Sequence, residues 1–354
     1  MRTDSAQSLC DRLLRDGKAP GLQYLVVGPD CRVFEYAGGW ADLAGRRPIT
    51  AETSMMLYSM SKTITAAAVL RLVEADAVKL DDPIGAYVDF QPYGPHVTVR
   101  QLLSHTSGIP NPIPLRWVHP AALHGTFDEP LELIRVLRRY STLSSPPGTK
   151  FRYSNIGYWL LGPIVERASG VPFPQYVRDH VLQPLGTPPE ELGYAISDPH
   201  DHAKGYLEKY SLLNLAKRLV VAGELIGEYE GRWLHLRDHY VNGAAFGGLV
   251  GSASGVGKFL QDQLRPRSAL FDDSTRRLFY QPQVLSDGTE IPMSLGWHVG
   301  SVRGIRYFYK EGGGGGFHSM MRLYPSAAIA TVVIVNATGF DVRGHLDSAD
   351  ALFL

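Results

Sequence analysis

Along this chain apolar residues fall first in short runs that suit strands, then at helical spacing, then in short runs again. Asp4 to Leu14 predicts a helix. Leu22-Gln23-Tyr24-Leu25-Val26-Val27 and Arg32-Val33-Phe34-Glu35-Tyr36 flank Gly28-Pro29-Asp30, which predicts two strands joined by a turn. Ala66, Val69, Leu70 and Val73 stand at i, i+3, i+4 and i+7, the spacing of an amphipathic helix that buries one face. Leu80 to Pro83 and Val97 to Arg100 open a loop-rich region, and Gln101 to Pro110 closes on helix-stop and turn residues.

A helix is expected over 128–141, and Pro146-Pro147-Gly148 breaks the chain after it. The apolar segment from Trp159 runs to Gly170, with Pro163 expected to kink or shorten the helix. Residues 205–240 give the weakest pattern, with an amphipathic stretch at 211–226 that suits a lid or insertion. Gly247 to Ser252 predicts a tight turn. Ile305–Tyr309, His318–Tyr324 and Ala330–Asn336 read as antiparallel strands separated by Gly or Pro turns, and 341–354 as a closing helix. These elements predict an α+β fold, with one antiparallel sheet built from N- and C-terminal strands, flanking helices and an inserted all-helical region. Residues 1–354 are expected to form a single catalytic domain. Its α/β lobe takes 1–80 and 285–354, and its mainly helical lobe takes 81–284.

Composition narrows the function classes. Lys+Arg and Asp+Glu balance at 35 each, so no global field recruits nucleic acid or an anionic membrane. Met1 to Pro20 is charged throughout and has no apolar core, so no secretory signal is expected, and no apolar run is long enough for a bilayer span. Cys10 and Cys31 lack metal-ligand spacing and read as two free thiols of a reducing compartment. A cytoplasmic location is the expectation.

Candidate chemistry begins at Ser59-x-x-Lys62, where an irregular segment gives way to the first strong helical pattern. Side chains three apart on a helix lie over one another, so Ser59 Oγ and Lys62 Nζ are within reach. Near a helix start, unpaired N–H groups favour developing negative charge. A serine hydroxyl needs a neighbouring base, and a lysine serves only where burial or a second cation lowers its pKa. Two further stations follow, Tyr153-Ser154-Asn155 and Lys310-Glu311-Gly312. Tyr240-Val241-Asn242 is a second Tyr-x-Asn and stands as the alternative. His105 is expected to fix a turn and His318 a strand register, rather than to pair with Ser59. No Gly-x-Ser-x-Gly elbow occurs.

The order of the three stations resembles the serine β-lactamase and penicillin-binding-protein superfamily, whose boxes are Ser-x-x-Lys, Tyr/Ser-x-Asn and Lys-Thr-Gly. The flanks Leu103-Ser104-His105-Thr106-Ser107-Gly108-Ile109-Pro110, Pro147 to Tyr158 and Gly312 to Ser319 resemble its class C β-lactamase-like branch, which includes carboxylesterases and D-amino-acid peptidases. The likeness runs from about residue 20 to 338. It implies a β-lactamase/transpeptidase-like fold and an acyl-enzyme on Ser59, with Lys62 and Tyr153 sharing the proton work. Cationic amines would pull the Tyr153 pKa down. Asn155 would donate to the substrate or to Lys62, and Lys310 would stabilise a Tyr153 phenolate or a substrate anion. The N–H groups of Ser59 and Gly313 would receive the oxyanion, each such donor being worth about 3 kcal/mol. Glycines at 312–316 would bring a strand edge close to the substrate.

The chemistry calls for no cofactor and no metal, and its partner is a small-molecule ester, amide or β-lactam-like substrate. One departure bears on which. Glu311 stands where the resemblance expects a hydroxyl residue that helps hold a ligand carboxylate, and a glutamate there repels one. That points to a carboxylesterase on neutral esters or small amides. The alternatives are a β-lactamase, a D-amino-acid peptidase, a transacylase, or a degenerate relative that binds an acyl ligand or a protein.

Overall fold

A computed structural model describes residues 2–112, 117–211, 214 and 222–354. The main sheet contains β1 (Gly21–Val27), β2 (Arg32–Asp42), β3 (Arg47–Pro48), β4 (His298–Val302), β5 (Ile305–Gly314), β6 (Phe317–Tyr324) and β7 (Ile329–Val335). Its order is β4-β5-β6-β7-β1-β2-β3, so the first strand of the chain lies beside the last. Leu22 opposes Val335 and Val27 opposes Ala330 across that antiparallel seam. The sheet expected from both ends of the chain is therefore formed.

β1 and β7 are buried at every position. A sheet covered on both faces needs apolar side chains on both, which is why these strands read as continuous runs rather than alternating ones. Leu22, Tyr24, Val26, Val333 and Val335 face a core closed by the helices Arg2–Arg15 and Val342–Ala349. Leu25, Val27, Val332 and Ile334 face a larger core shared with the helices Ser61–Glu74 and Ala253–Leu264.

The helix Ser61–Glu74 is not amphipathic as expected. Every residue from Ser61 to Leu70 is buried. Its apolar stripe marks one face, but Ala and Thr on the others pack as closely, and Thr63 and Thr65 satisfy their hydroxyls on the carbonyls of Gly296 and Ala245. A helix with neighbours all round is apolar or small all round. Pro163 does not shorten its helix either. The helix runs unbroken over Asn155–Ser169 and ends at Gly170, with φ at +76°. Burial of Ile156, Trp159, Leu160, Leu161 and Ile164 outweighs the one hydrogen bond that Pro163 cannot make.

The inserted region is not all-helical. Met55–Met56, Val250–Gly251 and Leu192–Gly193 form one small sheet, and Val118–Pro120 pairs with His239–Val241. A third small sheet joins Gly205–Glu208, Trp233–Leu236 and Ile226–Glu230. Strands this short show no readable alternation and are set by tertiary contacts. Most of the amphipathic stretch at 211–226 lies outside the described residues. The expected turn at Gly247–Ser252 links the short helix Ala244–Gly247 to the strand Val250–Gly251. Cys10 is buried, Cys31 exposed, and both are free. Among the described residues, no helix is long and apolar enough to cross a membrane.

Candidate active site

Ser59 lies in the single 3-10 turn Tyr58–Met60 that leads into the helix Ser61–Glu74. This turn is fastened at both ends. Leu57 N donates to Leu249 O at 2.9 Å, and Ser61 Oγ donates to Tyr58 O at 2.5 Å while accepting from Leu249 N at 2.9 Å. Lys62, one residue into the helix, is fully buried. Its Nζ stands 3.0 Å from Ser59 Oγ and donates to Phe246 O at 2.6 Å. The spacing read from the sequence thus becomes a contact.

Tyr153 arrives from the other lobe. It precedes the helix Asn155–Ser169, whose start is capped by Ser154 accepting from Gly157 N at 3.0 Å. Its Oη donates to Ser59 Oγ at 2.8 Å. His105 holds this loop as a turn-fixing residue: at φ +59° it accepts from Arg152 N through its carbonyl and from Ser154 N through Nδ1. Its ring lies 4.3 Å from that of Tyr153. Tyr240, the alternative, sits elsewhere, stacked on His124 at 3.7 Å with its hydroxyl on Ile196 N.

β5 supplies the third wall. β4 pairs with β5 only as far as Tyr309, so Lys310 to Gly314 run on as an edge. A Cβ on Gly312 would collide with Leu57 O, and one on Gly314 with the Tyr58 ring. These two glycines therefore serve first to seat the strand on the serine's own turn, a role distinct from the expected approach to substrate. A Cβ on Gly313 would point the other way, to the His318 ring. Asn155 donates its backbone N–H to Asn111 Oδ1 at 3.0 Å. Among the described residues its own Oδ1 is buried without a partner, as is Lys310 Nζ.

Burial governs the electrostatics. It pulls the Lys62 amine well below its ordinary range, and the charge of Lys310 adds to the effect. Lys310 is lowered to about 7 by burial. Lys62 Nζ and Lys310 Nζ stand 4.9 Å and 5.4 Å from the centroid of the Tyr153 ring. The expectation that these amines pull the phenol down is reversed. Burial pushes Tyr153 above the usual tyrosine value, the hydrogen bond to Ser59 works against it, and Glu311 reinforces it. Desolvation of the phenol is the largest of these effects and decides the direction.

Glu311 lies on the opposite face of β5 from Lys310, as alternation along a strand requires. Its carboxylate accepts from His318 Nε2 at 3.0 Å and from Arg343 Nε at 2.6 Å. The His318 bond is the main cause of its lowered pKa, with Arg343 contributing. Several contributors were not legible in the sequence. Phe246 acts through a backbone carbonyl, for which no residue type is a signal. Arg343 and His298 carry suitable chemistry but belong to no motif. His298 stacks on Tyr153 and Tyr309, with ring centroids 6.3 and 5.1 Å away.

A hydroxyl within hydrogen-bond reach of both a buried amine and a phenol suits attack on an acyl carbon. Comparison with known proteins agrees with that chemistry. The Beta-lactamase family model matches residues 6–353. Esterase EstB of Burkholderia gladioli is 32% identical over 213 residues, covering 55% of this chain and 52% of that protein. A D-aminopeptidase of Brucella anthropi is 33% identical over 176 residues, 49% of this chain and 33% of that protein. The chain therefore spans about half or less of these curated relatives. Among solved structures, the D-amino acid amidase from Ochrobactrum anthropi SV3 superposes with a TM-score of 0.82 at 21% identity, over 99% of this chain and 98% of that one.

Proposed function

Because the chain belongs to the Beta-lactamase family, we propose that it is a serine hydrolase that forms an acyl-enzyme on Ser59. The observation that carries this is the pair of contacts on Ser59 Oγ, 3.0 Å to Lys62 Nζ and 2.8 Å to Tyr153 Oη. Lys62 is the base, since burial and the charge of Lys310 disfavour its protonated form and leave the amine able to accept a proton. As Ser59 Oγ bonds the acyl carbon, its proton passes to Lys62 Nζ. Tyr153, a neutral phenol, gives its hydroxyl proton to the departing oxygen or nitrogen and is reprotonated from Lys62. Water then attacks the acyl-enzyme and the same groups return the proton to Ser59. The N–H groups of Ser59 and Gly313 receive the oxyanion, and Asn155 and Lys310 bind the substrate beside it.

The substrate class is a neutral carboxylic ester, with small amides next. The named activities of the esterase and D-aminopeptidase relatives support both. Glu311, turned to His318 and Arg343, leaves position 311 without the hydroxyl that would help hold the carboxylate a β-lactam presents. Residues 1–354 act as one catalytic unit. That is supported by Ser59, Lys62, Lys310 and Gly312 coming from the sheet lobe and Tyr153 and Asn155 from the inserted one. The free thiols support a reducing, cytoplasmic setting. The test is a panel of p-nitrophenyl butyrate, D-alanine p-nitroanilide and a chromogenic cephalosporin, with fluorophosphonate labelling. Ester turnover and labelling that both disappear in Ser59→Ala are expected. Wild-type turnover in Ser59→Ala would overturn the reading.

A further inference from the structure

Tyr58, the residue before Ser59, takes φ +46°, in the left-handed region that a bulky side chain rarely adopts. Such a conformation persists only where the surroundings impose it, and here they do. Its ring lies against the backbone of Gly314, where any Cβ would strike it. Its hydroxyl donates to Gly315 O at 2.8 Å and stands 2.9 Å from His239 Nε2. His239 is buried, and its Nδ1 lies 2.9 Å from Arg237 O. Because that carbonyl only accepts, Nδ1 carries the proton of the neutral ring and Nε2 is bare. One phenolic hydrogen thus serves two acceptors on separate segments, the turn after β5 and the strand His239–Val241.

We propose that Tyr58 is a positioning residue that sets the gap between the two oxyanion donors, with His239 as its anchor. This rests on the acyl-enzyme reading of Ser59. One donor, Ser59 N–H, belongs to the peptide formed with Tyr58 itself. The other, Gly313 N–H, lies two residues before the carbonyl that Tyr58 holds. A single hydroxyl therefore ties the turn carrying one donor to the strand carrying the other. Through His239, the strand His239–Val241 also reaches the nucleophile's turn without supplying a reacting group. Donors misplaced by a fraction of an ångström stabilise the tetrahedral intermediate poorly while leaving ground-state binding intact.

The test compares Tyr58→Phe, His239→Phe and Ser59→Ala on p-nitrophenyl butyrate, with a boronic acid as a transition-state analogue. Tyr58→Phe keeps the ring and its packing and loses only the hydroxyl. Its kcat is expected to fall about tenfold with KM within twofold, and boronate affinity to fall by a similar factor. His239→Phe, which leaves the hydroxyl bound to Gly315 alone, is expected to show a smaller loss of the same kind. A merely structural role would lower the melting temperature and leave both the kcat-to-KM split and boronate affinity unchanged, which overturns the proposal. If Tyr58→Phe keeps wild-type kcat while Ser59→Ala is inactive, the clamp alone falls. Wild-type turnover in Ser59→Ala overturns both readings.

Discussion

Replacing Gly312 by alanine tests how the site is assembled. The new methyl group would fall on Leu57 O and lie 3.1 Å from both Leu57 C and Met60 N. All three atoms are backbone of the turn that carries Ser59, so none can swing aside as a side chain would. A carbon rests about 3.3 Å from a carbonyl oxygen, and relief requires strand and turn to part by roughly an ångström. That gap opens between Ser59 N–H and Gly313 N–H, the two proposed oxyanion donors. Loss of one oxyanion donor costs about 100- to 1,000-fold in kcat, roughly 3–4 kcal/mol of transition-state stabilisation. Overpacking costs the fold about 1–3 kcal/mol in addition. The assay is steady-state hydrolysis of p-nitrophenyl butyrate with a thermal melt on the same preparation. The expected result is a folded protein that melts a few degrees lower, with kcat down about 100-fold or more and KM little changed. Gly315→Ala, whose methyl would meet only side chains, the nearest being His239 Nε2 at 3.3 Å, should lose far less. A folded Gly312→Ala enzyme with wild-type kcat, or a loss confined to KM, would refute the reasoning.

Further outcomes follow from the charges. Lys310, lowered from near 10.5 to about 7, is protonated more readily in the unfolded chain. Stability should therefore rise with pH between about 7 and 10, and in Lys310→Met, followed by chemical denaturation across that range, this slope should flatten. Glu311→Thr removes a carboxylate beside the site and frees Arg343 from its ion pair. Turnover of a chromogenic cephalosporin should rise relative to p-nitrophenyl butyrate, and an unchanged ratio would place Glu311 outside substrate discrimination. Burial pushes the Glu129 carboxyl up to about 7, and it accepts from Trp159 Nε1 at 2.9 Å. Tryptophan emission should titrate with a midpoint near 7, and a titration that survives in Glu129→Gln would assign it to another group.

Much of this candidate site is legible in the sequence because its chemistry is local or ordered along the chain. Ser59 and Lys62 meet through helical spacing alone, and Tyr153 was favoured over Tyr240 for its place between a Pro-Gly break and a helix. The N- and C-terminal strands announced themselves as apolar runs between turn residues. What failed was of another kind. Helix Ser61–Glu74 looked one-sided because alanine and threonine carry no hydrophobic signal even when fully buried. Pro163 pointed to a kinked or shortened helix, and the helix keeps its full length. The small sheets of the insert are too short for a period to appear.

The ionisation of the site lay beyond the sequence altogether. A tyrosine between two lysines reads as an acidified phenol, yet all three are buried, and desolvation lowers both amines and raises the phenol. Glu311 likewise reads as a charge aimed at the substrate until its partners, His318 and Arg343, are seen. Sequence by itself determined which groups are present and in what order, since residue type and spacing along one strand or helix are properties of the chain. Tertiary structure alone decided their protonation, their partners and the narrow fit of β5 on the serine turn. Each of those depends on desolvation and on contacts between segments far apart in the chain, as in the bond between Tyr58 and Gly315, which lie 257 residues apart.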